Sequence, residues 1–532
     1  MSDHDDGADL QPLPRTSFVW VLLVVLAMGA LGFGLYSYYD HLEHGFIVSA
    51  MRNPGQGGGA WGMSILFYVF FVGVSFAGIV VAALCRLFDI QVLKPITRLA
   101  ELLTITSLIA GACAVLSDLG RPLDGLIKLP RFANPNSPFF GTFTLVVSGY
   151  LFASVVYFFL SARADAAGTA RTTRRGRLLY RLWASGWRGT PAQSARHHRV
   201  SYWLALTILP LLVIAHSTLG FIFGIQSGRP GWYSALQAPS FVVMAGVSGI
   251  GMLILVVAGI RRLLGLHDRI PDASIRWLGN LLWVLAAIYL YFMLVEELTA
   301  TYAAPAADRH VAHEVLSGAF AQLFWITVGG LLLAFLIPFI LYLRKQTSVG
   351  WLVVASLAAN VAAVLKRFLL VVPSQTHGAL TPIEGPRMYE PTWAEYGVVV
   401  GLFGLVALAI LVFVRVFPIV PSAHTTTDAP KPPRDVLRTV LTATTAAVAL
   451  ALIAVGLSDS FRLFSGHEVD PRIPYSPVLF ATGVIVLFLS AVVYELVPDR
   501  VLEVLPATPS AIATAPEPGI STSSTSTEGS HS

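Results

Sequence analysis

Long apolar stretches recur along the whole chain, separated by short polar breaks. About 20 helical residues cross the hydrocarbon core of a bilayer. Twelve stretches reach that scale: 18–39, 63–85, 99–116, 139–160, 202–224, 240–260, 276–296, 318–343, 349–371, 395–417, 439–457 and 477–497. None shows the alternating pattern of a membrane-barrel strand, and in lipid a lone helix satisfies its own backbone where a lone strand does not. The pattern predicts an all-α, polytopic transmembrane bundle of about 10 core spans plus a C-terminal two-helix hairpin.

Composition agrees. Of 532 residues, 55% are hydrophobic and only 12% charged, against about 25% charged in soluble domains. The net charge of +5 is a matter of topology and gives no ground for nucleic-acid binding. Nine arginines and one acid, Asp165, fall in the stretch from Ser161 to Val200, read here as a loop. Arg86, Lys94, Arg98, Arg261, Arg262, Arg344, Lys345, Lys431, Arg434 and Arg438 fall on that same side. Basic loops stay in the cytoplasm. Both termini are therefore expected there, in a bacterial inner membrane, and the opposite ends of the spans face outward. Residues 1–17 form an acidic cytoplasmic segment with no signal-peptide pattern. The main bundle is expected over 18–420, a Pro-rich linker over 421–438, an appended transmembrane hairpin over 439–497, and a disordered tail rich in Ser and Thr over 505–532.

Little cofactor chemistry fits this chain. Its two cysteines, Cys85 and Cys113, fall short of the four thiolates an iron–sulfur cluster takes. Only His216, of thirteen histidines, is expected deep in a span, so a haem with two axial histidines is not expected. His41 and His44, and likewise His310 and His313, have helical spacing at span ends. Neither pair makes a metal site by itself, and none is expected.

Ionisable groups at membrane depth are the remaining chemistry. The stretch Ser117-Asp118-Leu119-Gly120-Arg121-Pro122 puts an acid and a base at the outer end of the third span. His216, Glu296, Glu297, Lys366, Arg367 and Glu395 are expected at a similar depth, and Glu101 at the inner end of the third span. Neighbours on a helix point about 100° apart, so one of Glu296 and Glu297 and one of Lys366 and Arg367 should face inward. Intramembrane charges are costly and mark function. An acid, an imidazole and a guanidinium suit a quinone headgroup, whose oxidation and reduction move protons. They equally suit a proton or anion pathway, so a twelve-span secondary transporter is the competing reading, and a purely structural anchor is a third.

The stretch from Ala100-Glu101-Leu102-Leu103-Thr104 to Ser117-Asp118-Leu119-Gly120-Arg121-Pro122 resembles the third span of the NrfD-like polysulfide reductase membrane subunits. Asn134-Pro135-Asn136-Ser137-Pro138 resembles the loop that follows in that family. Leu209 to Ser217, Ala238-Pro239-Ser240-Phe241 with Ser248-Gly249, Tyr289 to Glu296, and Tyr389 to Tyr396 resemble later spans of its ten-span branch. That branch includes membrane subunits of periplasmic hydrogenases, sulfite-linked complexes and alternative complex III. The resemblance covers about 18–420.

It implies a bundle without haem or iron–sulfur cluster that exchanges electrons with menaquinone or ubiquinone. The implied partners are a ferredoxin-like 4Fe–4S subunit and a molybdopterin, hydrogenase or cytochrome catalytic subunit. The implied quinone site is near the outer face: Asp118 and His41 or His44 as proton acceptors, Arg121 as a positioning cation, with His216, Glu296, Arg367 and Glu101 as a polar path. The alternative complex III branch has a histidine in span two, where this chain has Ser75-Phe76, and a histidine where Asp118 stands. The proton acceptor of that branch therefore does not transfer.

Overall fold

The computed structural model describes residues 17–51, 61–132, 149–174, 176–376, 389–421, 436–463 and 476–497. No strand occurs among them. Twelve helical segments are long and apolar enough to cross a membrane: Phe18–Val48, Met63–Leu87, Gln91–Asp118, Gly149–Thr172, Pro191–Gly224, Gln237–Leu264, Asp272–Tyr302, Ala321–Leu343, Val349–Gln375, Trp393–Val416, Val436–Ser458 and Val478–Leu496. They are called spans one to twelve below, and each overlaps a stretch read from the sequence. Residues 1–16, the Asn134–Pro138 loop, residues 422–435 of the linker and the 505–532 tail lie outside the described residues.

Two boundaries differ from the expectation, both because helices run on beyond the apolar stretch. The first helix continues to His44 and carries His41 in its last turn. The arginine-rich stretch is mostly helical rather than a loop. Span four reaches Thr172, a short helix covers Arg177–Ala184, and span five begins at Pro191. Thr190 caps that helix by accepting from the Gln193 amide at 3.3 Å, and Pro191 occupies the first turn, where a missing N–H costs nothing.

Span two is the core. From Met63 to Val74 every residue is buried, as a helix apolar on all sides must be. Spans three, five, six, nine and ten pack around it. It is not continuous. The helix Met63–Val74 ends at Ser75 and a second helix, Phe76–Leu87, begins. A break in the hydrogen-bond ladder at membrane depth survives only if neighbours satisfy the freed carbonyls. Here the Ser75 carbonyl accepts from Thr104 Oγ1 of span three and Tyr150 Oη of span four, each at 2.7 Å. The Val72 carbonyl accepts from the Ser75 hydroxyl at 2.6 Å and lies 3.0 Å from His216 Nε2 of span five. Three spans thus clamp one kink, each interhelical bond contributing about 0.6–2 kcal/mol.

Span one is mostly lipid-facing and attaches by one stripe. Its buried residues are Ala27, Gly34, Ser37 and His41. Ala27, Gly34 and Ser37 face Gly404, Gly401 and Gly397 of span ten, and the two backbones approach so closely that a Cβ on Gly34 or Gly401 would overlap the other helix. Small residues permit such contact in lipid, where apolar burial alone does not drive association.

Buried ion pairs secure the arginine-rich end. Arg98 of span three meets Asp165 of span four at 2.7 Å. Arg163 of span four meets Glu495 of span twelve at 2.6 Å, and His197 of span five reaches the same carboxylate at 3.1 Å. Spans eleven and twelve pack mainly on each other, and span twelve reaches the bundle at spans four and five.

Substituting Gly401→Val should lower the stability of the purified protein by about 1–3 kcal/mol through overpacking. Gly29 has open space around it, so Gly29→Val should leave the thermal unfolding midpoint unchanged. Equal effects of the two would contradict this packing.

Candidate functional site

The end of the bundle opposite the arginines gathers side chains from spans one, two, three and ten. Glu395 organises them. It sits in the first turn of span ten within a capping box formed with Thr392. Its Oε2 accepts from the Thr392 amide at 3.0 Å and from the Ala50 amide at 2.9 Å, just beyond span one. Its Oε1 accepts from the Tyr389 hydroxyl. Tyr389 Oη in turn accepts from the Met63 amide at 2.8 Å, where span two starts. Burial and the adjacent Glu395 carboxylate hold the Tyr389 hydroxyl far above the ordinary phenol range, so it remains a donor at every physiological pH. Thr392 Oγ1 also donates to the Val48 carbonyl at 2.8 Å. One carboxylate therefore fixes the exit of span one, the entry of span two and the entry of span ten.

The start of span two is held from a second side. Gln375 of span nine accepts from the Trp61 amide and donates to the Trp61 carbonyl, both at 2.9 Å. Trp61 stacks on Trp232 with ring centroids 5.4 Å apart, and Trp232 Nε1 donates to the Leu370 carbonyl at 2.6 Å.

Beside this frame the buried titratable atoms His41 Nε2 and Asp118 Oδ1 have no hydrogen-bond partner among the described residues. His41 is 5% exposed and packs edge-on against Phe46 at 4.8 Å. Phe46 also covers Gly120, two residues beyond Asp118. Tyr38 of span one donates to the Leu116 carbonyl of span three at 3.3 Å, and Ser117 donates to Ser64 of span two at 3.1 Å. Glu395 lies near enough to interact electrostatically with both Asp118 and His41. An unpaired buried acceptor costs about 1–3 kcal/mol. The two vacant valences belong to groups that take or give a proton, and they face one neighbourhood.

The other residues singled out in the sequence lie elsewhere. His44 is exposed and bonds Asp40 at 3.0 Å. Arg121 is exposed and makes no ion pair with Asp118, because the helix ends at Asp118 and the next turn carries Arg121 to the surface. His216 belongs to the span-two clamp: its Nδ1 lies 2.8 Å from the Leu212 carbonyl and its Nε2 faces Val72. Glu296 takes Lys366 at 2.9 Å and Gln237 at 3.1 Å. Both members of the Lys366–Arg367 pair are buried, although only one was expected inside. Lys366 uses its long stem to reach Glu296, while Arg367 lies 4.2 Å over the Phe241 ring. Glu101 is buried near the arginine-rich end and accepts from Ser161 Oγ at 2.9 Å. Among the described residues, no three His, Cys, Asp or Glu side chains converge as a metal site.

The sequence reading missed the central place of Glu395 and the part played by Tyr389. The available signal was the run Tyr389-Glu390-Pro391-Thr392-Trp393-Ala394-Glu395, a tyrosine followed by a threonine–glutamate capping pattern at the start of an apolar run.

Comparison with known proteins adds a family. The model described as polysulphide reductase, NrfD, matches residues 50–379. A Halobacterium salinarum protein, assigned by name as the membrane subunit of a dimethyl sulfoxide reductase, is 29% identical over 435 residues, covering 77% of this chain and 94% of that one. A selenate reductase subunit of Mesobacillus selenatarsenatis is 25% identical over 400 residues, covering 73% and 91%. The Hdr-like menaquinol oxidoreductase integral membrane subunit of Archaeoglobus fulgidus is 25% identical over 432 residues, covering 78% and 97%.

The frame and the vacant groups should respond differently to isosteric change. Glu395→Gln replaces one acceptor oxygen with a donor, facing either the Tyr389 hydroxyl or the Ala50 and Thr392 amides, and should destabilise the protein by about 1–3 kcal/mol. Asp118→Asn breaks no bond at its Oδ1 and should leave the unfolding midpoint within about 0.5 kcal/mol of the parent. The reverse order in a thermal melt would contradict the site as described.

Proposed function

The chain belongs to the NrfD polysulphide reductase family, and from that premise we propose that this integral membrane subunit of an oxidoreductase is the one that reacts with quinone. The observation that carries the proposal is the pair of buried, unpartnered polar atoms, His41 Nε2 and Asp118 Oδ1, beside Glu395. Oxidation of a quinol removes two electrons and two hydroxyl protons. Groups that receive those protons must come within hydrogen-bond reach of the ring oxygens. His41 and Asp118 have the free valences to do so. Glu395 has its oxygens engaged by Ala50, Thr392 and Tyr389, and acts through its charge and by holding the frame. Quinone reduction runs the same groups in reverse, as proton donors.

The electrons go to or come from a partner. The names of the relatives, two from reductases and one from a menaquinol oxidoreductase, support a quinone of the menaquinone or ubiquinone class. They also favour a redox complex over a twelve-span transporter. We assign the partners as a ferredoxin-like 4Fe–4S subunit and a molybdopterin, hydrogenase or cytochrome catalytic subunit. The arginine-rich end is assigned to the cytoplasm of a bacterial inner membrane, which leaves the His41–Asp118 end outside and both termini inside. Arg121, exposed beside that end, serves the rim and not the acid. His216 and Glu101, with Glu296 and Arg367 in the neighbouring spans, are the polar stations along which a proton would cross.

In the assembled complex, Asp118→Asn and His41→Phe should each lower quinol turnover by about 10²–10⁴ while the partner proteins still copurify. His44→Ala, on a residue paired with Asp40 at the surface, should retain turnover. Turnover that survives at both Asp118 and His41 would remove this site from the reaction.

A further inference from the structure

A cleft lies at the other end of the molecule, between span five and the terminal pair of spans. Its volume is about 450 Å³, within the ~300–1,000 Å³ common for ligand sites. Val200, Trp203 and Leu204 line it from span five, and Leu487, Phe488 and Ala491 from span twelve. These are apolar walls at membrane depth. Its wall on span five runs from Arg199 to Thr207, a length of about 12 Å at 1.5 Å per residue.

The cleft is charged at one end only. Arg199 is exposed there and donates to Tyr494 Oη at 3.3 Å. Arg438 of span eleven stands 5.9 Å from the centroid of the same tyrosine ring. Thr442 Oγ1, on the cleft wall one turn deeper, is buried and has no hydrogen-bond partner. The nearby acid, Glu495, is engaged by Arg163 at 2.6 Å and His197 at 3.1 Å. The feature is therefore a cationic mouth above an apolar slot that opens toward the lipid.

We propose that an anionic diacyl phospholipid occupies this cleft, its headgroup phosphate on Arg199 and an acyl chain along Trp203, Leu487 and Phe488. Basic pockets between spans recognise such headgroups. The lipid would fill part of the seam between the bundle and the terminal spans. This site is independent of the quinone reading, since it lies at the opposite end of the spans.

The test is quenching of Trp203 in the full chain within its complex, reconstituted into nanodiscs with brominated phosphatidylglycerol or brominated phosphatidylcholine at equal mole fraction. Subtracting the Trp203→Phe signal isolates the cleft. Trp203 should be quenched more strongly by the anionic lipid. Arg199→Gln should raise the mole fraction for half-quenching about fivefold, the weight of one interfacial cation, and Arg199→Lys should largely retain the preference. Equal quenching by the two lipids, an unchanged preference in Arg199→Gln, or relief of the quenching by added quinone would each overturn the proposal.

Discussion

A bilayer core supplies no water to a carboxyl, an imidazole or a broken backbone. Every polar group buried in this bundle must find its partner inside the protein, and most do. The break in span two at Ser75 is closed by Thr104 and Tyr150, with His216 against the neighbouring carbonyl. Arg98 has Asp165, Arg163 has Glu495, and Lys366 has Glu296. Glu395 alone receives bonds from Ala50, Tyr389 and Thr392. A minority of buried polar atoms lack a partner, and among them His41 Nε2 and Asp118 Oδ1 belong to titratable groups beside Glu395, where the fold forgoes about 1–3 kcal/mol at each unpaired group. Such a cost, retained beside a rigid frame, fits a place where something else makes the bond.

That frame explains how these two groups come to lie together at one end. The kinked span two is gripped at its middle by spans three, four and five, and at its start by Tyr389 and Gln375. Span one joins it through the stripe of small residues facing span ten. Span ten carries Glu395, which pins the exit of span one and the entry of span two. Asp118 ends span three in the same neighbourhood. Four spans therefore converge on fixed backbone, and the two titratable groups are held by packing, without hydrogen bonds that would occupy the valences in question.

Much of this was legible in the sequence. Twelve apolar stretches gave twelve spans, because hydrophobic length is a direct reading of bilayer thickness. Asp118 and Glu296 stood out as charges in apolar surroundings and proved partly or largely buried. The family resemblance rested on the ordered motifs and was met by the match over residues 50–379. What the sequence could not show was pairing across spans. Glu395 read as one more charge at membrane depth, and nothing local says that its partners are Ala50 and Tyr389. Arg121, three residues from Asp118, was expected beside it as a positioning cation, yet the helix end separates them. Lys366 and Arg367 looked mutually exclusive by helical angle, but side-chain length let both turn inward. The helical run of the arginine-rich segment was hidden because its residues are polar, although their helices continue beyond the membrane.

The central claim is that a quinone ring meets Asp118 and His41 at the end of the bundle opposite the arginines. Photo-cross-linking with an azido-quinone in the intact complex, followed by peptide mapping, addresses it directly. The account predicts label on the segment from Tyr38 to Met51 and on the segment around Asp118, with loss of label when excess unmodified quinone competes. Competable label confined to other spans, or to the cleft beside Trp203, would contradict it.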